Sequence, residues 1–166
     1  LGLFVWHFYG ENGKSFNGSS TTAYTKCIEH YNEAVDLYKS GSKSSAMEEL
    51  GRALHYLQDV NVPHHAMNAV AVLTNHTQFE AYVEGHQESY EVTGTTPSLY
   101  TDANNSLGTI IDDYAEVARG WYDEATSSNE SEKDRAAGAC VRNSQRATVT
   151  VLYKFMIDVG YIVELR

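Results

Sequence analysis

The chain has 166 residues, a formal net charge of −10, 42% apolar residues and 11% aromatic ones. That length suits one domain able to bury about two-thirds of its unfolded surface, and the composition excludes a disordered chain. The acidic balance argues against binding nucleic acid or acidic lipid by bulk electrostatics.

In chain order, residues 1 to 20 read as an aromatic-rich start and then a loop dense in Gly, Asn and Ser. A first helix is predicted from Thr21 to Gly41, with Cys27, Ile28, Tyr31, Ala34, Val35 and Tyr38 at helical spacing. A second, from Ser44 to Val60, carries Leu50, Ala53, Leu54 and Leu57 on its apolar face, and Pro63 is expected to end it. Residues 61–75 read as a loop, Thr77 to Tyr90 as a third helix, and 92–101, with Pro97, as another loop. A fourth helix is predicted from Ala103 to Ser127, where Leu107, Ile110, Ile111, Tyr114, Val117, Ala118 and Trp121 recur every three to four residues. The last, Lys133 to Val163, ends in a stretch apolar almost all round, which marks it as the central core helix. The fold class is therefore all-α, one multi-helix bundle of five main helices spanning 1–166.

No apolar run approaches the ~18 residues of a membrane span, so a soluble protein is expected. No basic segment followed by an apolar core opens the chain, and a mature secreted form would read the same. Cys27 and Cys140 lie in different predicted helices; one disulfide between them is open to the chain, and they lack metal-type spacing. Sequons at Asn17, Asn75, Asn104 and Asn129 do not settle the compartment in a chain so rich in Ser and Thr.

Two side-chain pairs carry chemistry. His55 and Asp59 stand four apart on the second helix, so both leave the same face one turn apart, and His76 and Glu80 repeat that spacing. Between them lies a Pro-His-His turn with His64 and His65, and His7 stands near the start. Any one of these histidines alone reads as a hydrogen-bonded core or surface residue. Together, His7, His55, Asp59, His65, His76 and Glu80 supply nitrogen and oxygen donors for two zinc sites.

At these residues the chain resembles a known family. ALHYLQDVNVPHHAMN is similar to the signature of the zinc-dependent phospholipases C, His-Tyr-Leu-Gly-Asp-hydrophobic-Asn-x-Pro-x-His-x-x-Asn. FVWHFYGENGKSF resembles that family's Phe-x-x-His-Phe-Tyr segment and HTQFEAYVEGHQESYEV its His-x-x-x-Glu segment, so the resemblance runs from Phe4 to Tyr90. It implies an all-helical, trinuclear zinc enzyme that cleaves phospholipids such as phosphatidylcholine on the glycerol side of the phosphate. By the same resemblance His7, His55 and Asp59 hold one zinc, and His65, His76 and Glu80 a second, with Asp59 bridging to a third. Phe4 lines a pocket for a quaternary ammonium head group. The implied partners are phospholipid and, transiently, a membrane surface, with no nucleic acid; the implied location is secreted. His64 reads as a neighbour, and His30 and His86 as surface histidines.

The family completes its third zinc with an N-terminal tryptophan and a nearby histidine, and its catalytic aspartate lies ahead of the first motif. None of these is present before His7, and Trp6 cannot serve. Three explanations fit: a fragment of a longer protein, a segment supplied by another chain, or a member reduced to two metals. A fragment is expected, because the other motifs are intact. No lipid-binding module like that of the family's two-domain toxins is expected after the last helix. The rival readings are a single-strand-specific zinc nuclease of the same fold and a non-catalytic zinc-binding domain. Glu80, where such nucleases carry Asp, leans towards lipid.

Overall fold

Capping chemistry starts the long helices. The Thr25 N–H donates to the Thr22 hydroxyl while the Thr22 N–H donates to Thr25 Oγ1, and this reciprocal box opens α1 (Ala23–Lys39). Gly41, at φ 93°, then turns the chain into α2 (Lys43–Asp59). The two form a helix hairpin in which Cys27, Tyr31 and Ala34 meet Leu50, Ala53 and Leu57. The structure, a computed structural model, describes residues 3–94 and 97–162; among these there is no strand.

Pro63 acts at the opposite end of a helix from the one expected. The second helix already stops at Asp59, and Pro63 is the first residue of a short helix, α3 (Pro63–Ala66), where its missing N–H costs nothing. Pro97 likewise stands at the start of a short helix, α5 (Ser98–Asp102), in a stretch read as loop. The aromatic-rich start, for which no element was predicted, forms a 3-10 turn, Leu3–His7.

The third predicted helix resolves into α4 (His76–His86) and a 3-10 turn, Gln87–Tyr90. The fourth is two helices. Ser106 caps α6 (Leu107–Arg119) by accepting from the Thr109 N–H, and the chain breaks at Gly120 and Trp121 before α7 (Tyr122–Thr126). Asn129 caps α8 (Glu130–Asp158), accepting from the Ser131 and Glu132 N–H groups, and Gly160 at φ 77° follows its end. Val163, the predicted limit of that helix, lies outside the described residues.

The helix α8 does reach α2, α4, α5, α6 and α7, as a central helix should. Its last turns are nonetheless one-sided: Ala147, Val151 and Phe155 are buried, while Val149 and Leu152 are 38% and 37% exposed. Apolar residues all round the cylinder therefore do not mean neighbours all round it. Cys27 and Cys140 are free, buried thiols in separate parts of the molecule, so the disulfide left open by the sequence is not made. No described helix is long and apolar enough to cross a membrane.

Candidate metal centre

Three segments are tied together before any metal is considered. The Tyr9 N–H donates to the His65 carbonyl (3.0 Å), joining the His7 segment to α3. Arg119, at the end of α6, donates from Nε to the Ala66 carbonyl (3.1 Å) and from Nη2 to the Tyr9 carbonyl (3.2 Å). Asn68, at φ 56°, donates from Nδ2 to the Lys14 carbonyl (3.0 Å) against Gly10, where a Cβ would stand 2.1 Å from that same nitrogen. The glycine is needed for this close approach.

This framework gathers all six predicted donors. His7 Nδ1 is 2.7 Å and His55 Nε2 3.6 Å from Asp59 Oδ2, so these three form one group. His76 Nε2 is 3.0 Å and His65 Nε2 3.5 Å from Glu80 Oε1, forming the other. Within each group the ligand atoms lie inside 4.8 Å of one another. The groups meet at a seam, because the other oxygen of Asp59, Oδ1, is 3.2 Å from His65 Nδ1. Tetrahedral zinc with ligands at 2.0–2.1 Å sets its donor atoms about 3.3 Å apart, a value the four distances bracket.

The tautomers favour a cation as well. A carbonyl can only accept, so His76 Nδ1, 3.0 Å from the Ala69 carbonyl, carries the hydrogen. Its Nε2 lone pair then faces a carboxylate, and two acceptors at that distance need a proton or a metal ion between them. The charges respond accordingly. Burial opposes a charge on His65, but the carboxylates of Asp59 and Glu80 outweigh it and hold the imidazole up to about 9. Burial likewise pushes Asp59 upward, and His65 and His7 overcome this to hold it below the ordinary carboxylate value. A hydrogen bond from His65, with the His76 imidazole beside it, holds Glu80 well below that range.

His64 is a neighbour, as expected, and a structured one. It is fully buried, its ring stacks on His76 at 4.9 Å, and its Nε2 donates to Asn75 Oδ1 (2.9 Å). Asn75 in turn donates to the Ala125 carbonyl (3.0 Å). Burial pushes the His64 imidazole down to about 4, so it stays neutral. His86 is exposed as predicted, but His30 is not a free surface histidine: it is half-buried, 2.6 Å from Glu49, and stacked on Tyr56 at 5.7 Å. Phe4 is 71% exposed on the turn that carries His7.

Arg119 and Tyr56 are not singled out by the sequence, and Asn75 is not marked there as a partner of the site. Asn75 had been visible only as a sequon, yet its amide is spent on His64 and Ala125. Tyr56 packs within 5.5 Å of His7 and 5.3 Å of His55, and its place inside His-Tyr-Leu could have drawn notice. Arg119 left no local signal, since both its acceptors are backbone carbonyls far away in sequence.

An all-helical bundle that brings two pairs of histidines, each with a carboxylate, to one seam defines a class of helical proteins with paired candidate metal centres. Residues 4–127 match the family described as zinc dependent phospholipase C, and the chain belongs to that family. It is 32% identical over 147 residues to a phospholipase C of Clostridium haemolyticum, covering 76% of this chain and 35% of that one. A phospholipase C of Bacillus cereus is 29% identical over 173 residues, covering 87% of this chain and 59% of that one. The chain thus spans about a third of the clostridial relative and under two-thirds of the Bacillus one. Among solved structures, the alpha toxin of Clostridium absonum superposes with a TM-score of 0.89 at 23% identity, covering 99% of this chain and 51% of that one. That likeness speaks to the fold, and the all-α class stands.

Proposed function

We propose that the chain is the metal-binding part of a zinc-dependent phospholipase C that hydrolyses the glycerol-side phosphodiester of phospholipids such as phosphatidylcholine. The observation that carries this is the seam: two groups, each of two histidines and a carboxylate, joined through Asp59 and His65. His7, His55 and Asp59 would hold one zinc and His65, His76 and Glu80 a second, with Asp59 bridging to a third. Bound zinc supplies a water nucleophilic near neutral pH and positive charge against the phosphoryl oxygens.

The protein's own groups do the arranging. The Ala69 carbonyl holds His76 with Nε2 free, Asp59 faces His65 in the same way, and Tyr56 packs against the rings of the first group. Phe4 is exposed three residues before His7 and offers an aromatic face for a quaternary ammonium head group, a contact worth about 0.5–2 kcal/mol. None of the described residues is assigned as general base. On this reading the domain spans 1–166, the remaining groups of the third site come from residues outside it, and the protein is secreted and meets membrane surfaces transiently.

The test is release of phosphorylated head group from short-chain phosphatidylcholine by the zinc-loaded protein, beside hydrolysis of single-stranded DNA. Lipid cleavage lost in His55→Ala and His76→Ala supports the reading. Cleavage of DNA instead would make the protein a nuclease of the same fold, and stoichiometric zinc with neither activity a binding domain.

A further inference from the structure

Between Asp59 and Glu80, both proposed ligands, there is no Asp, Glu, Lys or Arg, in a chain where such residues make up 20%. Within that uncharged stretch, residues 67–75 loop out between His65 and His76. At the loop's tip Val72 is 92% and Leu73 82% exposed, and Met67 at its start is 37% exposed. A single exposed apolar side chain is ordinary, but consecutive ones in a neutral loop mark an interaction surface.

The loop is held rather than slack. The Ala69 N–H donates to the His64 carbonyl (2.8 Å), the Leu73 N–H to the Val70 carbonyl (3.1 Å), and the Thr74 hydroxyl to the same carbonyl (3.1 Å). The Ala69 carbonyl accepts from His76, and Asn75 anchors the far end on Ala125. The side chains at the tip are thus presented to solvent by a framework shared with the second metal group.

We propose that loop 67–75, with Val72 and Leu73 at its tip, is the surface by which this protein seats on an electrically neutral phospholipid bilayer beside the metal centre. The inference rests on the phospholipase reading and adds the place and manner of contact. A loop without charged side chains suits a zwitterionic surface, which asks for no basic residues, while Glu11, Glu116 and Asp123 beside Met67 disfavour an anionic one. Insertion of Val72 and Leu73 to the acyl boundary removes their exposed area from water, each contributing roughly tenfold in partition. The short tether from the loop to His76 would then bring the head-group layer against the second group.

The experiment is co-sedimentation of the zinc-loaded protein with phosphatidylcholine vesicles, comparing wild type, Val72→Asp, Leu73→Asp and the double variant. Met47→Asp, at a 46% exposed position in the first turns of α2, is the control. The proposal expects each loop variant to weaken partition by roughly tenfold or more, with zinc content and helical signal unchanged, and Met47→Asp to bind as wild type. Loop variants that bind like wild type, or a wild type that does not bind the vesicles, would overturn it. Cleavage of dihexanoyl-phosphatidylcholine as a monomer, which needs no bilayer, is measured in parallel. Its loss in wild type counts against the phospholipase reading alone, and its retention in the loop variants separates docking from chemistry.

Discussion

At the scale of single residues, His64 is where the chain spends most on holding a ligand without supplying one. A leucine there would fill the volume but lose the bond to Asn75, leaving that amide oxygen buried and unpaired. Partners that orient ligands typically contribute 10–100-fold in metal affinity. His64→Leu is therefore expected to weaken zinc at the His65, His76 and Glu80 group by about that factor and to leave the His7, His55 and Asp59 group nearly unchanged. Competition titration with a chelator, resolving two sites, checks it; equal weakening at both would assign His64 a general packing role. The two thiols make a different statement. Burial pushes Cys27 and Cys140 each up to about 12, so at pH 8 only about one in ten thousand is thiolate. Both are expected to react with a disulfide reagent only as the protein unfolds, Cys27 last, because Cys140 borders a cleft beside Glu80.

At the scale of elements, the site depends on three segments far apart in sequence being clamped by α6. Arg119 holds two of them through their backbone carbonyls, and bonds to a charged donor are worth about 1.5–3 kcal/mol each. Arg119→Ala is expected to cost roughly 3 kcal/mol in urea unfolding of the metal-free protein, with Arg119→Lys recovering about half. If Arg119→Ala unfolds at the wild-type midpoint, the clamp carries no stability. This clamp also marks the limit of what could be read in advance. The helices α1 and α2 were visible because apolar spacing and, for α1, the Gly41 stop agree, and the ligands were visible because four-residue spacing puts two side chains on one face. The break at Gly120 was hidden, since Leu107 to Trp121 keeps its apolar period across it. Pro63 was misplaced because a proline stops a preceding helix and starts a following one with equal ease. Arg119 and the His64–Asn75–Ala125 chain end on backbone carbonyls, and a carbonyl has no residue-type signature.

At the scale of the whole molecule, the cluster makes stability depend on pH in a way that metal should reverse. His65 is held up to about 9 in the folded chain, above its ordinary 6.5, so between these values the folded state binds more protons than the unfolded one. Its contribution is complete below about 6.5 and is lost as pH rises through about 9. Asp59 and Glu80 have the opposite sign: held low by their histidine partners, they stabilise above the ordinary carboxylate range and lose that contribution on acidification. Buried His64, held down to about 4, takes up its proton more readily in the unfolded chain and so costs stability below about 6.5. The metal-free protein should therefore unfold at its highest temperature near pH 6.5, and its Tm should fall from pH 6.5 to 9. Zinc takes the place of the proton between His65 and Glu80, so binding at pH 7 should release at least one proton. Calorimetry in buffers of different ionisation enthalpy reads that release directly. The zinc-loaded protein should then keep its Tm across pH 6.5 to 9, and gain about 4 kcal/mol per site when free zinc is a thousand times Kd. A binding heat that does not depend on buffer, or an alkaline fall in Tm that persists with zinc bound, would mean that the metal does not displace the His65 proton. The six donors would then be an ion-pair network rather than a metal centre.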